Sequence, residues 1–313
     1  MNRWLAIAFV VTLVGTTAFF LIYAPASAPQ SSSSSPFTAQ TSDTSSADFL
    51  DPAAAAAFVY QGKPIHPACL LNLEFDADPG STSNKQYDLA ECQTIEPDTK
   101  WEASKIENGY VSADATYTAD AVGSAQEFDS YRVLAQKGDI FLIENDWNTG
   151  GTGDFSDVIR VQLSGNTISY AGPVPGVQGG DRCNGGVSVE GIREGALFYS
   201  VELTPFDIIA LGASTTLKAY TDLESSASSC YGEANYQVDP WNQGAPVLNS
   251  VSLGGYFDAT EDAPTTGEWV NSLTYEACFN RMFNKYRNSG HSTLIGSTEI
   301  KAFASDFLAT CVR

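Results

Sequence analysis

Four glycines set the spacing of this chain. Gly109, Gly138, Gly165 and Gly195 each sit just before bulky strand-forming residues, in Gly109-Tyr110-Val111, Gly138-Asp139-Ile140-Phe141, Gly165-Asn166-Thr167-Ile168 and Gly195-Ala196-Leu197-Phe198. They are 29, 27 and 30 residues apart, and Gly255-Tyr256-Phe257 falls 60 beyond Gly195. Glycine at a tight turn flanked by β-branched and aromatic runs is the signal of a β-hairpin. Strand-like runs flank three of the turns, pairing Tyr131–Ala135 with Asp139–Glu144, Asp157–Leu163 with Thr167–Tyr170, and Gly186–Gly191 with Ala196–Leu203. A propeller blade of four strands needs about 40 residues or more. The spacing therefore predicts an antiparallel meander with two strands per repeat, in a barrel, sandwich or curved sheet, and a fold that is α+β but mainly β.

The C-terminal segment changes period. Tyr275, Cys278, Phe279, Met282, Phe283 and Tyr286 recur at helical spacing, as do Ile300, Phe303, Ala304, Phe307, Leu308 and Cys311. Asn288, Ser289 and Gly290 end the first stripe, and Ser297 with Glu299 can start the second. Two antiparallel helices over 266–313 follow, packed on a β-rich domain over 51–265. At about 1.5 Å rise per residue, Cys278 and Cys311 fall within about 6 Å of each other in height in that hairpin, so a bridge between them is expected. With six cysteines, sequential pairing of Cys69 with Cys92 and Cys183 with Cys230 completes the set.

Disulfides need an oxidising compartment, and the amino terminus supplies a route to one. Trp4–Ala24 is uncharged over 21 residues, with Arg3 before it. It lies between a signal-peptide core and a full membrane span. Residues 1–28 read either as a signal peptide cleaved after Ala26 or as a retained anchor. Residues 29–50 include eight Ser and three Thr between Gln30 and Ser46, a linker too polar to bury surface against its chain entropy. The expected location is periplasmic or extracellular, with any membrane contact made only through the N-terminal segment.

The net charge is −21, and only Arg3 and Asp43 of the first 46 residues are charged, so the folded part carries the excess of acid. Nucleic acid is excluded as a partner, because such a charge repels phosphate backbones. Basic proteins are attracted. A glycan is the other candidate ligand, since Trp147-Asn148-Thr149-Gly150 and Trp241-Asn242-Gln243-Gly244 repeat W-N-x-G in two predicted loops, where Trp147 and Trp241 could stack on sugars.

Two further loops could carry chemistry. Counting from Asp146, oxygen-bearing side chains fall at calcium-loop positions 1, 3, 7, 9 and 12: Asp146, Asn148, Thr152, Asp154 and Asp157, with Gly151 at the sixth. Gly150, Gly153 and a terminal Asp depart from that pattern, and strands rather than helices flank it. Calcium is therefore a possible cofactor beside the plainer reading as a hairpin loop. In Gly179-Gly180-Asp181-Arg182-Cys183-Asn184-Gly185-Gly186, the side chains of Asp181, Arg182 and Asn184 could grip a polar ligand, or could decorate a disulfide corner.

Local catalytic signatures are missing: there is no G-x-S-x-G, no H-E-x-x-H, no P-loop and no dinucleotide fingerprint. The two histidines, His66 in Lys63-Pro64-Ile65-His66-Pro67-Ala68-Cys69 and His291 in the helical turn, read as structural. The sequence thus predicts a non-catalytic binding or interaction module of the cell envelope. The alternatives are a glycan hydrolase using carboxylates such as Glu144, Asp146 or Asp181, and a structural envelope component.

Overall fold

The computed structural model describes residues 51–75, 85–92, 99–119, 123–148, 153–180, 186–213, 223, 230–254 and 275–311. The N-terminal segment, the linker, the Gly255 turn, and Thr152, Asp181, Arg182, Cys183 and Asn184 lie outside them. The elements in chain order are α1 (Pro52–Ala57), β1 (Val59–Tyr60), β2 (Lys63–Pro64), α2 (Ala68–Phe75), β3 (Gln86–Asp88), β4 (Thr99–Trp101), β5 (Lys105–Glu107), β6 (Tyr110–Ala119), β7 (Gly123–Lys137) and β8 (Ile140–Asn148). They continue with β9 (Phe155–Ser164), β10 (Thr167–Gly180), β11 (Val187–Arg193), β12 (Ala196–Leu203), α3 (Pro205–Gly212), β13 (Gly232–Val238), β14 (Val247–Leu253), α4 (Glu276–Asn288), β15 (Thr293–Ile295) and α5 (Gly296–Cys311).

The hairpins predicted from glycine spacing form the frame. Gly109, Gly138, Gly165 and Gly195 all adopt positive φ at the turns joining β5–β6, β7–β8, β9–β10 and β11–β12, a conformation that glycine enters without steric cost. One antiparallel sheet runs β3-β10-β9-β8-β7-β6-β4, with β5 also on β6, and curls into a half-barrel. A second runs β11-β12-β13-β14-β15. The protein is mainly antiparallel β, as expected.

The central strands of the first sheet are covered on both faces. Tyr131, Ile143, Ile159 and Ile168 pack with Phe58, Leu70 and Leu73 from the α1–α2 region. Leu134, Leu142 and Val158, on the other face, meet Val187, Val189, Leu197 and Tyr199 of the second sheet. The alternation expected of a half-exposed strand is therefore lost, and Phe141 to Asn145 of β8 are all buried. This double cover also draws polar side chains into the interior: Glu144, Asn145, Asp157 and Arg160 are buried within β8 and β9.

The C-terminal helices form as predicted, with one addition. Phe279, Met282, Phe283, Ile300, Phe303 and Phe307 join Leu203, Ile208 and Val251 in a third apolar cluster. Between the helices, β15 adds to the edge of β14, and Glu299 accepts a hydrogen bond from the Ile295 amide at the start of α5. Helix α3, unforeseen in the sequence, opens with a capping box between Thr204 and Asp207. It approaches α5 so closely that a Cβ on Gly212 would lie 2.4 Å from the Ile300 carbonyl oxygen.

Cys69–Cys92 and Cys278–Cys311 are disulfide-bonded, with Cα atoms 5.0 and 5.7 Å apart. Cys230 is disulfide-bonded as well. These bonds point to a compartment outside the cytoplasm. Among the described residues no helix is long and apolar enough to cross a membrane.

Candidate functional site

Strands β7, β8 and β9 carry a row of polar side chains on the face turned toward the second sheet. Side chains alternate along a strand, so Glu144 and Asp146 project from one face of β8. Arg132 is the register partner of Glu144, Ser156 of Asp146, and Val111 of Tyr131, which brings Tyr110 to the same side as Arg132. Glu144 and Arg132 form a short ion pair, with side-chain exposures of 3 and 17 %. The guanidinium also donates 2.8 Å to the Val189 carbonyl and lies 4.9 Å from the centre of the Tyr110 ring.

The opposite wall comes from the second sheet. Ser156 Oγ donates to the Val187 carbonyl and accepts from the Val187 amide, which locks the start of β11 onto β9. Gly186 makes this contact possible, because a Cβ there would sit 1.8 Å from Ser156 Oγ. The resulting cleft has a volume of about 350 Å³, and the charged residues lining it, among the described residues, are Arg132, Glu144, Asp146, Glu202 and Glu233. A neighbouring hollow of about 420 Å³ shares Tyr110, Asp146 and Gly186 and adds Phe128, Asp154 and Phe155.

Burial and mutual repulsion tune these acids. Burial pushes the Asp146 carboxyl up to about 7, helped by the Glu144 charge. Burial also raises Glu144, against the pull of Arg132. Glu202 is raised by burial and then by Glu233, its register partner on β13. The Tyr110 hydroxyl is raised, by burial first and by Glu144 second. Among the described residues, four carboxylates thus share a cleft in which the Arg132 cation is already paired.

The other predicted site residues fall elsewhere. Asn145 and Asp157 are register partners, one step out of phase with Asp146 and Ser156. Asp157 consequently faces away from Asp146, and the first and last positions of the predicted calcium loop do not converge. Asn148 donates its amide to Asp154, 2.9 Å away. Among the described residues no cluster of three or more His, Cys, Asp or Glu side chains is placed to hold a metal ion. Trp147 is buried and stacks on Phe155 at 6.0 Å. Trp241 packs on the core between the sheets, with Lys137 over its ring. Neither tryptophan lines the cleft. Of the three proposed acid–base carboxylates, Glu144 and Asp146 come together, and Asp181 lies outside the described residues.

Sequence reasoning missed Tyr110, Arg132, Ser156, Glu202 and Glu233. The usable signal was Glu144-x-Asp146 inside a strand, since two acids at a spacing of two must share a face. The chain matches no protein-family model, no curated protein and no solved structure, so the functional reading rests on the chemistry of this cleft.

Proposed function

We propose that the chain is an exported cell-envelope protein, periplasmic or extracellular, acting as a binding module whose acidic cleft receives a cationic group, such as a lysine or arginine side chain of a basic protein. The observation that carries this reading is the imbalance of charge among the described residues of the cleft, with Glu144, Asp146, Glu202 and Glu233 set against Arg132. Arg132 is spent on Glu144. A cation entering would offset the burial, and the smaller repulsion, that raise Asp146 and Glu202, and low-dielectric walls would strengthen its attraction.

Calorimetric titration with a hexalysine peptide tests it at low and moderate salt. Affinity should rise with pH through about 7, as Asp146 gives up its proton, and fall several-fold in Glu202→Gln. The exposed Glu194→Gln serves as control for the general charge of the chain. Equal losses in both variants would reduce the cleft to one part of an acidic surface.

A second reading is supported by one observation, the pairing on a single strand face of a carboxylate held by arginine with another that titrates near neutrality. Such a division suits a carboxylate-dependent glycan hydrolase. Release of reducing ends from a polysaccharide, abolished in a folded Asp146→Asn variant, would establish hydrolysis in place of binding.

A further inference from the structure

The motif around His66 builds a second groove that the acidic cleft does not use. Its volume is about 780 Å³, and Tyr60, Gln61, Lys63, Trp101, Glu102 and Ser104 contribute to its lining. Tyr60 and Trp101 are both half-buried and line the groove. Among the described residues, the charged side chains of the lining, Lys63 and Glu102, are opposite in sign, a local balance in a chain of net charge −21.

The aromatic walls are fixed by the frame behind them. His66 accepts from the Ala68 amide at Nδ1, 3.2 Å, which assigns the proton to Nε2, placed 3.0 Å from the Glu102 carbonyl oxygen. Both imidazole nitrogens are thereby committed to backbone, tying the start of α2 to the segment after β4. Trp101 sets its ring edge-on to His66 at 5.9 Å and 82°. Behind this, Tyr131 donates 2.7 Å to the Ile65 carbonyl and Cys69 is bridged to Cys92. On the other wall, Gln61 sits at φ +50°, a conformation uncommon for a residue other than glycine. From there its amide donates 3.0 Å to the Tyr60 hydroxyl.

We infer that this groove is a binding site for an uncharged oligosaccharide, with Tyr60 and Trp101 as stacking surfaces and Gln61, Lys63 and Ser104 as hydrogen-bonding partners for its hydroxyls. A sugar ring presents an apolar C–H face and a polar rim. Rigid aromatic surfaces flanked by amide, ammonium and hydroxyl groups complement both at little cost in ordering. The volume is within the range of small-ligand sites. The balance of charge disfavours the cations proposed for the acidic cleft, so the two sites would take different ligands.

Titration calorimetry of the whole folded domain with cellohexaose and chitohexaose tests this assignment. Saturable binding of at least one is expected, weakened tenfold or more in Trp101→Ala and several-fold in Gln61→Asn, which shortens the amide reach while tolerating the positive φ. Tyr60→Ala, which removes the stacking ring, should lose several-fold, and Trp241→Ala and Glu202→Gln should bind as the parent does. Thermal melting of each variant separates lost binding from lost folding, and Gln61→Asn, at an exposed turn, keeps the test open if Trp101→Ala does not fold. The site is overturned if neither sugar binds at millimolar concentration, or if binding survives in Gln61→Asn and Trp101→Ala. Loss of binding in Glu202→Gln would also overturn it, by placing the sugar in the acidic cleft.

Discussion

Arg132 stands directly opposite Glu144 across the β7–β8 hairpin, and their ion pair is enclosed by the Tyr110 ring and the Val189 carbonyl. Pairing in such a place does not by itself add stability, because both ions lost their water on folding. Its weight appears when one partner is removed.

Arg132→Met is expected to destabilise the fold by about 3–5 kcal/mol, since Glu144 is then buried without a counter-ion and keeps only its hydrogen bonds to Tyr110 and the Val189 backbone. Adding Glu144→Leu should recover a large part of that loss, because an apolar pair of similar size needs no water. Urea unfolding of the two single variants and the double variant measures the coupling. A loss below about 1 kcal/mol in Arg132→Met would show that solvent reaches Glu144 freely.

The pH dependence of stability has a definite sign at Asp146. Its carboxyl is raised from 3.8 to about 7 in the folded chain, so between these values the native state holds a proton that the unfolded state has released. This contribution is fully present below about 4 and is lost as pH rises to about 7, with a ceiling of roughly 4 kcal/mol. Asp146→Asn should be less dependent on pH over that interval, gaining relative to the parent as pH rises. Denaturant midpoints at pH 5 and 8 for both proteins decide it, and parallel shifts in the two would contradict the assignment.

Gly212 tests the α3–α5 contact. Its Cβ would meet the Ile300 carbonyl oxygen at 2.4 Å and the Ala304 Cβ at 2.6 Å, so Gly212→Ala should cost about 1–3 kcal/mol through overpacking. Gly244→Ala, with nothing within 4 Å, should change stability by no more than about 0.5 kcal/mol. Comparable melting points for the two variants would mean that the helices separate without penalty.

Much of the frame was legible because its signals are local. Glycine at positive φ, strand runs on each side and two helical stripes each act within a few residues, and they give the hairpins, α4, α5 and the Cys278–Cys311 pairing. The cleft depends on longer-range geometry. From Lys137 and Ile140 the hairpin register runs evenly to Ala135 and Leu142, then slips by one residue at Leu134, so that Val133 meets Ile143 and Arg132 meets Glu144. Without that bulge Arg132 would oppose Asn145, and no pattern of residue types announces it. Val187 reaches Ser156 from 31 residues away, a closure that the apparent loop glycine Gly186 allows. Trp147 misled for a related reason: beside glycines it resembles an exposed loop residue, yet it is inside a strand covered on both faces.

The short strand between α4 and α5 has a consequence beyond its three residues. A sheet edge exposes unpaired amides and carbonyls, which invite a second chain to add on. At this edge Thr293, Leu294 and Ile295 occupy the positions beside Ser252, Val251 and Ser250, and the helices on either side are bridged by Cys278–Cys311. The bridge therefore clamps a stopper over β14 as well as joining two helices. This covalent link thus holds the cover of β14 in place and leaves only the three-residue β15 at this rim of the sheet.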